Sequence, residues 1–258
     1  MEWSKAKNLI ILLLAAVNVF LLCNLLYLVY RNAAIQRSTV TDLVDYLDQR
    51  GVTLDPEVIP KTNPGRTVLV VERDAEQEAG LARTLLEDSS LAANDDGSYQ
   101  SDKGSLSIRF GGYVSVQFRE PMERGACVEL LERSGIDLWQ PELTGSGELT
   151  LAFGELPLFN CRLQADSDAE IGALTGRVCV GSVLRTDSDP ERDIAGLLVG
   201  VTDRLTLAGV TELTEIGIGW MAGSISNVGL RLTPAYRLGT NAGDFYINAV
   251  DGVLMSIE

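Results

Sequence analysis

Carboxylates dominate the reactive side chains of this 258-residue chain, and two runs concentrate them. One is "DSDAE", with Asp166, Asp168 and Glu170; the other is "DSDPERD", with Asp187, Asp189, Glu191 and Asp193. Alternating acids of this kind can ligate calcium through oxygen. An EF-hand loop needs Gly at its sixth place and Glu at its twelfth. Counting from Asp166, those places hold Ile171 and Arg177, so the match fails. In the second run Ser188 with Glu191 fits a capping box and Pro190 fits a first helical turn. Helix caps and solvated turns are the reading taken for both runs.

Histidine is absent. That removes the commonest general base, the commonest zinc ligand and every triad built on imidazole. No G-x-S-x-G, S-x-x-K or P-loop occurs, and "GIGWMAGS" around Trp220 lacks the lysine and the strand-loop-helix setting of a phosphate cradle. Two carboxylates meeting in a cleft would suit a glycosidase, but linear order does not locate them. Cys23, Cys127, Cys161 and Cys179 show no C-x-x-C spacing, which argues against a thiolate metal site. In an oxidising compartment Cys161 and Cys179 could pair, leaving Cys127 odd; free buried thiols suit the low, uneven count. No catalytic residue, cofactor or metal ligand is expected, and the chain reads as a non-enzyme.

The elements that position side chains follow from periodicity. Thr41 to Arg50 reads as a helix with Leu43, Val44 and Leu47 on one face, stopped by Gly51. "RTVLVVERD" reads as a strand; Asp74 and Gln77 open a second helix with Leu81, Ala82, Leu85 and Leu86 on its apolar face. A meander follows in "SYQS", "SLSIRF" and "YVSVQF", and Pro121 is placed in the first turn of the next helix. "LVDYLDQRGVTL" and "CVELLERSGIDL" align Leu47 with Leu131, Gly51 with Gly135 and Val52 with Ile136; "LVGVTDRLTLAGVTEL" offers a third copy at Gly209 and Val210. An Asp251-Gly252 turn closes the last hairpin.

From Leu9 to Tyr30 no residue is charged, a run of 22 residues that as a helix would span about 33 Å and cross a hydrocarbon core. It exceeds a secretory h-region and lacks a small-x-small site at its far end, so it reads as a retained anchor. The basic flanks, Lys5 and Lys7 against Arg31 and Arg37, lean slightly to a cytoplasmic N-terminus. Trp3, Tyr27 and Tyr30 would sit at the interfaces, while Asn18 and Asn24 place amides in the apolar run, where each seeks a partner helix or its own backbone. The chain carries a formal charge of −15, and beyond Arg31 there are 18 basic and 35 acidic residues. Such a domain is repelled by phosphate backbones, which disfavours nucleic acid as a partner.

The stub Trp3-Ser4-Lys5-Ala6-Lys7, placed before a helix that contains Asn18 and Phe20, resembles the start of the YycI-type regulatory proteins of a bacterial two-component system. The ending "FYINAVDGVL" is similar to that of PepSY-type modules. The resemblance implies a cytoplasmic stub (1–8) and a transmembrane helix (9–30) before an extracytoplasmic region, which the repeated helix-Gly-strand pattern divides into two subdomains (31–119 and 120–258). The implied fold class is α+β: one N-terminal transmembrane helix, then antiparallel sheets each packed against a helix, as duplicated subdomains. The implied function is regulation of a sensor histidine kinase together with a YycH-like companion, at the cell membrane, by protein-protein contact. Its contact residues would be Trp3, Ser4, Lys5, Lys7, Asn18, Phe20, Asn24, Tyr27 and Tyr30. Two other readings are an anchored carboxylate-dependent cell-wall hydrolase and a PepSY-like protease inhibitor.

Overall fold

The structure is a computed structural model that describes residues 13–14, 17–25, 27, 39–62, 64, 67–94, 96–140, 147–186, 193–225 and 229–255. Residues 39–49 form helix α1, with Leu43 and Leu47 buried. Strands β1 (Thr53–Leu54) and β2 (Val68–Glu72) follow, then helix α2 (Ala75–Leu85). The Asp74 carboxylate accepts from the Glu76 and Gln77 amides, so α2 starts at the cap its sequence offers. Strands β3 (Ser98–Ser101), β4 (Gly104–Ile108) and β5 (Tyr113–Glu123) form the expected meander.

Helix α3 runs Arg124–Arg133. Pro121 lies before it, in β5, where the register against the next strand shifts between Gln117 and Met122. This corrects its placement in a helical turn: a residue without an N–H is tolerated where a ladder is already interrupted. Strands β6 (Glu148–Phe153), β7 (Leu156–Ala165), β8 (Glu170–Arg177) and β9 (Ser182–Thr186) lead to helix α4 (Ile194–Leu207). The chain closes with β10 (Glu212–Ile225), β11 (Gly229–Thr240), β12 (Gly243–Asn248) and β13 (Leu254–Met255).

The thirteen strands of the described residues join one sheet, with the main path β13-β12-β11-β10-β7-β8-β5-β4-β3. Two pairings are parallel, β1 with β10 and β7 with β10. The fold-class expectation is corrected on two counts. The sheet is continuous and mixed, not a set of antiparallel sheets. Among the described residues, moreover, no helix is long and apolar enough to cross a membrane. Crossing takes about 20 consecutive apolar residues in one helix; within 9–30 the longest described helical run is 17–25.

Three helices end alike. Gly51, Gly135 and Gly209 have φ of 78°, 84° and 83°, the left-handed region that glycine enters without Cβ strain. After each, the next residue donates its N–H back to a leucine carbonyl: Val52 to Leu47, Ile136 to Leu131 and Val210 to Leu205, at 3.0, 3.1 and 3.0 Å. This is the Schellman closure. The three leucines are fully buried, each adding roughly 1.5–3 kcal/mol by burial. Local sequence similarity here is local structural similarity.

Helices α2 and α3 cover one core with Leu81, Leu85, Leu130, Leu131, Leu163, Leu174, Trp220 and Leu232. Helices α1 and α4 cover a second with Leu47, Leu198, Leu205, Ile216, Tyr236 and Ile247. Each core draws on both sides of residue 120. Along β10, Ile216 and Trp220 share parity, as do Leu232 and Tyr236 along β11, so both cores lie on one face of the β10–β11 hairpin. Among the described residues no helix packs on the other face. That face has a small buried cluster of Phe159, Met221, Ala235 and Tyr246, beside the partly buried Met255.

Candidate functional site

The helix-free face begins where two strands part. β7 and β10 pair at Leu158 and Trp220, after which β7 turns to pair β8 at Leu163 with Gly176. Asn160 bridges the opening: its amide nitrogen donates to the Ala222 carbonyl and its amide oxygen accepts from the Ala222 N–H, both at 2.8 Å. A side chain here supplies what a neighbouring strand would otherwise supply.

Arg177, at the end of β8, reaches into the same opening. Its Nε donates to the Gly111 carbonyl at 2.7 Å, Nη1 to the Ala222 carbonyl at 2.9 Å and Nη2 to Ser224 Oγ at 3.0 Å. Its guanidinium carbon lies 5.7 Å from the centre of the Tyr113 ring, a cation–π contact at the cross-strand pair Tyr113 and Arg177. A groove of about 570 Å³ opens over these groups, lined also by Arg162, Met221, Gly223, Thr233 and Met255.

Charge on this face is unevenly matched. Arg162 pairs with Glu148 at 2.9 Å, and Arg237 pairs with Glu215 and with Asp244. Arg231 stands directly across from Gly223 in the β10–β11 ladder, and it is exposed. Among the described residues neither Arg177 nor Arg231 has a carboxylate within ion-pair distance.

The groove can therefore donate hydrogen bonds, hold an anion and cover apolar groups with methionine. Among the described residues no carboxylate or thiol lines it. Cys161 is buried beneath β7, and desolvation pushes its thiol up to about 11. Cys127 is likewise pushed up to about 11 by burial. Cys179 is pushed up to about 12, first by burial and then by the proximity of Cys161. Thiols held protonated in this way are poor nucleophiles. All four cysteines are free, including Cys161 and Cys179.

Among the described residues the first acidic run forms no metal site. Asp166 accepts from the Gly172 amide at 2.9 Å, and the backbone amides of Ala173 and Gly172 hold its carboxyl below the usual range. Asp187, Asp189 and Glu191 lie outside the described residues; Asp193 precedes α4. Among the described residues no group of three or more Cys, Asp or Glu is placed to hold a metal.

Of the contact residues expected from the sequence, Trp3, Ser4, Lys5, Lys7 and Tyr30 lie outside the described residues. Asn18, Phe20, Asn24 and Tyr27 are helical and exposed. The Asn18 side chain donates to the Leu14 carbonyl at 2.9 Å, satisfying itself on its own helix. None of these four belongs to either core or reaches the groove. The groove residues Asn160, Arg177 and Ser224, and Arg231 across from Gly223, escaped sequence reasoning. A signal for them was present in "GIGWMAGS": Gly217, Gly219 and Gly223 alternate with apolar residues, so one face of β10 is nearly bare.

No protein-family model matches the chain. No curated protein matches it either. The crystal structure of an uncharacterized protein from Eubacterium rectale ATCC 33656 is similar over 75% of this chain and 86% of that one, with a TM-score of 0.43 and 9% identity. The Bacillus megaterium YpeB C-terminal domain is a weaker neighbour, over 73% of this chain and 98% of that one, with a TM-score of 0.31 and 8% identity.

Proposed function

We propose that this chain is a non-enzymatic, extracytoplasmic regulator of a two-component sensor histidine kinase, working by protein-protein contact. In this reading it is of the YycI type, acts with a YycH-like companion and ends in a PepSY-like module. The partners come from the resemblance of the opening and closing residues. The observation that carries the contact mechanism is the helix-free sheet face. It offers a donor-rich groove lined by Arg177, with Arg231 across the ladder from the groove residue Gly223; among the described residues neither arginine is matched by a carboxylate, and the described lining holds no acid–base or nucleophile pair. Such a surface binds without turning anything over.

Association with the membrane is assigned to the apolar N-terminal segment. Its described residues Leu13, Leu14, Phe20, Leu21, Leu22 and Leu25 are all more than half exposed, and a contiguous apolar surface of this kind marks an interaction site.

The test is crosslinked co-purification of the full-length chain from native membranes, beside Asn18→Leu and a version with residues 9–30 replaced by poly-leucine. A sensor kinase should be captured with the wild type. Because Asn18 is satisfied by its own backbone, Asn18→Leu should capture it equally well. Loss of the kinase with the poly-leucine version would place recognition in the N-terminal segment, whereas retention would place it in the sheet. Absence of any kinase with the wild type overturns the reading.

A further inference from the structure

We infer that the trough over Gly223, between Arg177 and Arg231, recognises a carboxylate carried by an extended acidic peptide segment of a partner protein. The trough exists because of a missing side chain. A Cβ built at Gly223 meets only the Arg231 carbonyl, at 3.9 Å, and its φ lies outside the left-handed region. Nothing in the local packing calls for glycine there. Gly219, four residues earlier on the same face, is the opposite case, since a Cβ would come within 2.5 Å of the Pro157 carbonyl. Gly219 is bare because the fold needs it; Gly223 leaves open space.

Two cations border that space. Arg177 spends three of a guanidinium's five N–H donors on Gly111, Ala222 and Ser224, which hold it in place and leave donors for a ligand. A preorganised guanidinium loses little freedom on engaging a carboxylate, and its planar donors suit that group better than a point charge does. Arg231 is exposed on the opposite bank.

Arg162, which also lines the groove, and Arg237 are already neutralised by Glu148, Glu215 and Asp244, so among the described residues of this face unmatched positive charge lies at Arg177 and Arg231. A chain of net charge −15 repels polyanions at long range. It tolerates a sparsely charged peptide better than a nucleic acid or an anionic bilayer. The partly buried Met255 on the lining suits the intervening side chains of such a segment.

This inference rests on the docking reading above, and the two fail separately. The experiment measures binding of a fluorescein-labelled serine decapeptide carrying two Glu residues to the full-length protein, with the same peptide carrying Lys in place of Glu as control. Phosphatidylglycerol vesicles serve as a competing anionic surface. The acidic peptide should bind saturably, more weakly at high salt. Arg231→Ala and Gly223→Val should each weaken it roughly tenfold, the loss of one charge-assisted contact or of the space for it. Valine suits a strand, so the Gly223→Val protein should melt no earlier than the wild type.

Binding unaffected by both substitutions, no saturable binding, equal binding of the lysine peptide, or binding of the vesicles in its place would each overturn the inference. A wild-type chain that binds the acidic peptide as described yet captures no kinase supports this site and removes the kinase reading. Kinase capture in the absence of any peptide binding does the reverse.

Discussion

The two faces of the β10–β11 hairpin come from the same residues read at opposite parity. On β10, Ile216, Ile218, Trp220 and Ala222 lie beneath helices, while Glu215, Gly217, Gly219, Met221 and Gly223 face away from them. The covered face is built of bulk, and its energy is burial. The open face is built of absence and charge: glycines let Phe159 and Pro157 approach the sheet, and arginines border what remains. Stability and recognition are thus separated by one residue of register, because successive side chains on a strand point to opposite sides.

The sharpest test of that division is a cavity on the covered side. Leu198→Ala, at a fully buried position of α4, should cost about 3 kcal/mol in urea unfolding and leave acidic-peptide binding intact. A loss of binding with the fold preserved would break the separation of faces. Next in size, Gly219→Ala should cost about 1–3 kcal/mol by forcing its new methyl against the Pro157 carbonyl and the Phe159 ring. Gly223→Ala, on the same face, should be neutral or stabilise by up to about 1 kcal/mol. Equal costs at both glycines would deny that one is structural and the other open.

The buried thiols give a pH test of the covered side. Their folded values lie above the ordinary thiol value near 9, so the unfolded chain loses these protons first. Their contribution is complete below about pH 8.5 and is lost as pH rises through about 11, at no more than about 1.4 kcal/mol per thiol per pH unit. Replacing Cys127 and Cys161 with alanine should flatten the alkaline slope of the unfolding free energy. An unchanged slope would place that loss elsewhere. The smallest effect belongs to the pair of Arg50 and Asp203, both largely exposed, which links the end of α1 to α4. Arg50→Ala should shift stability by less than about 1 kcal/mol, and less still at high salt.

Much of this was legible before any coordinates. The Asp74 cap, the meander from Ser98 to Phe118, the glycine-closed helices at Gly51, Gly135 and Gly209, and the Asp251-Gly252 turn all follow from residues a few places apart. Pro121 was misplaced because its tolerance of a first helical turn and of an interrupted ladder look the same in one dimension. The membrane-crossing helix expected over 9–30 rests on the length of the uncharged apolar run and on the resemblance of the stub, and the described residues contain no such helix.

What the chain determines by itself is therefore the set of short-range choices: caps, turns, periodicity, the apolar opening, and the chemistry denied by having no histidine. Tertiary structure alone decided that β7 would run parallel to β10, that both cores would share one face, and that Asn160 and Arg177 would meet at Ala222. Asn160 and Ala222 are 62 residues apart. Hydrogen bonds within a turn are set by local backbone geometry, whereas strand order is chosen by which apolar surfaces exclude water together, a property of the whole chain.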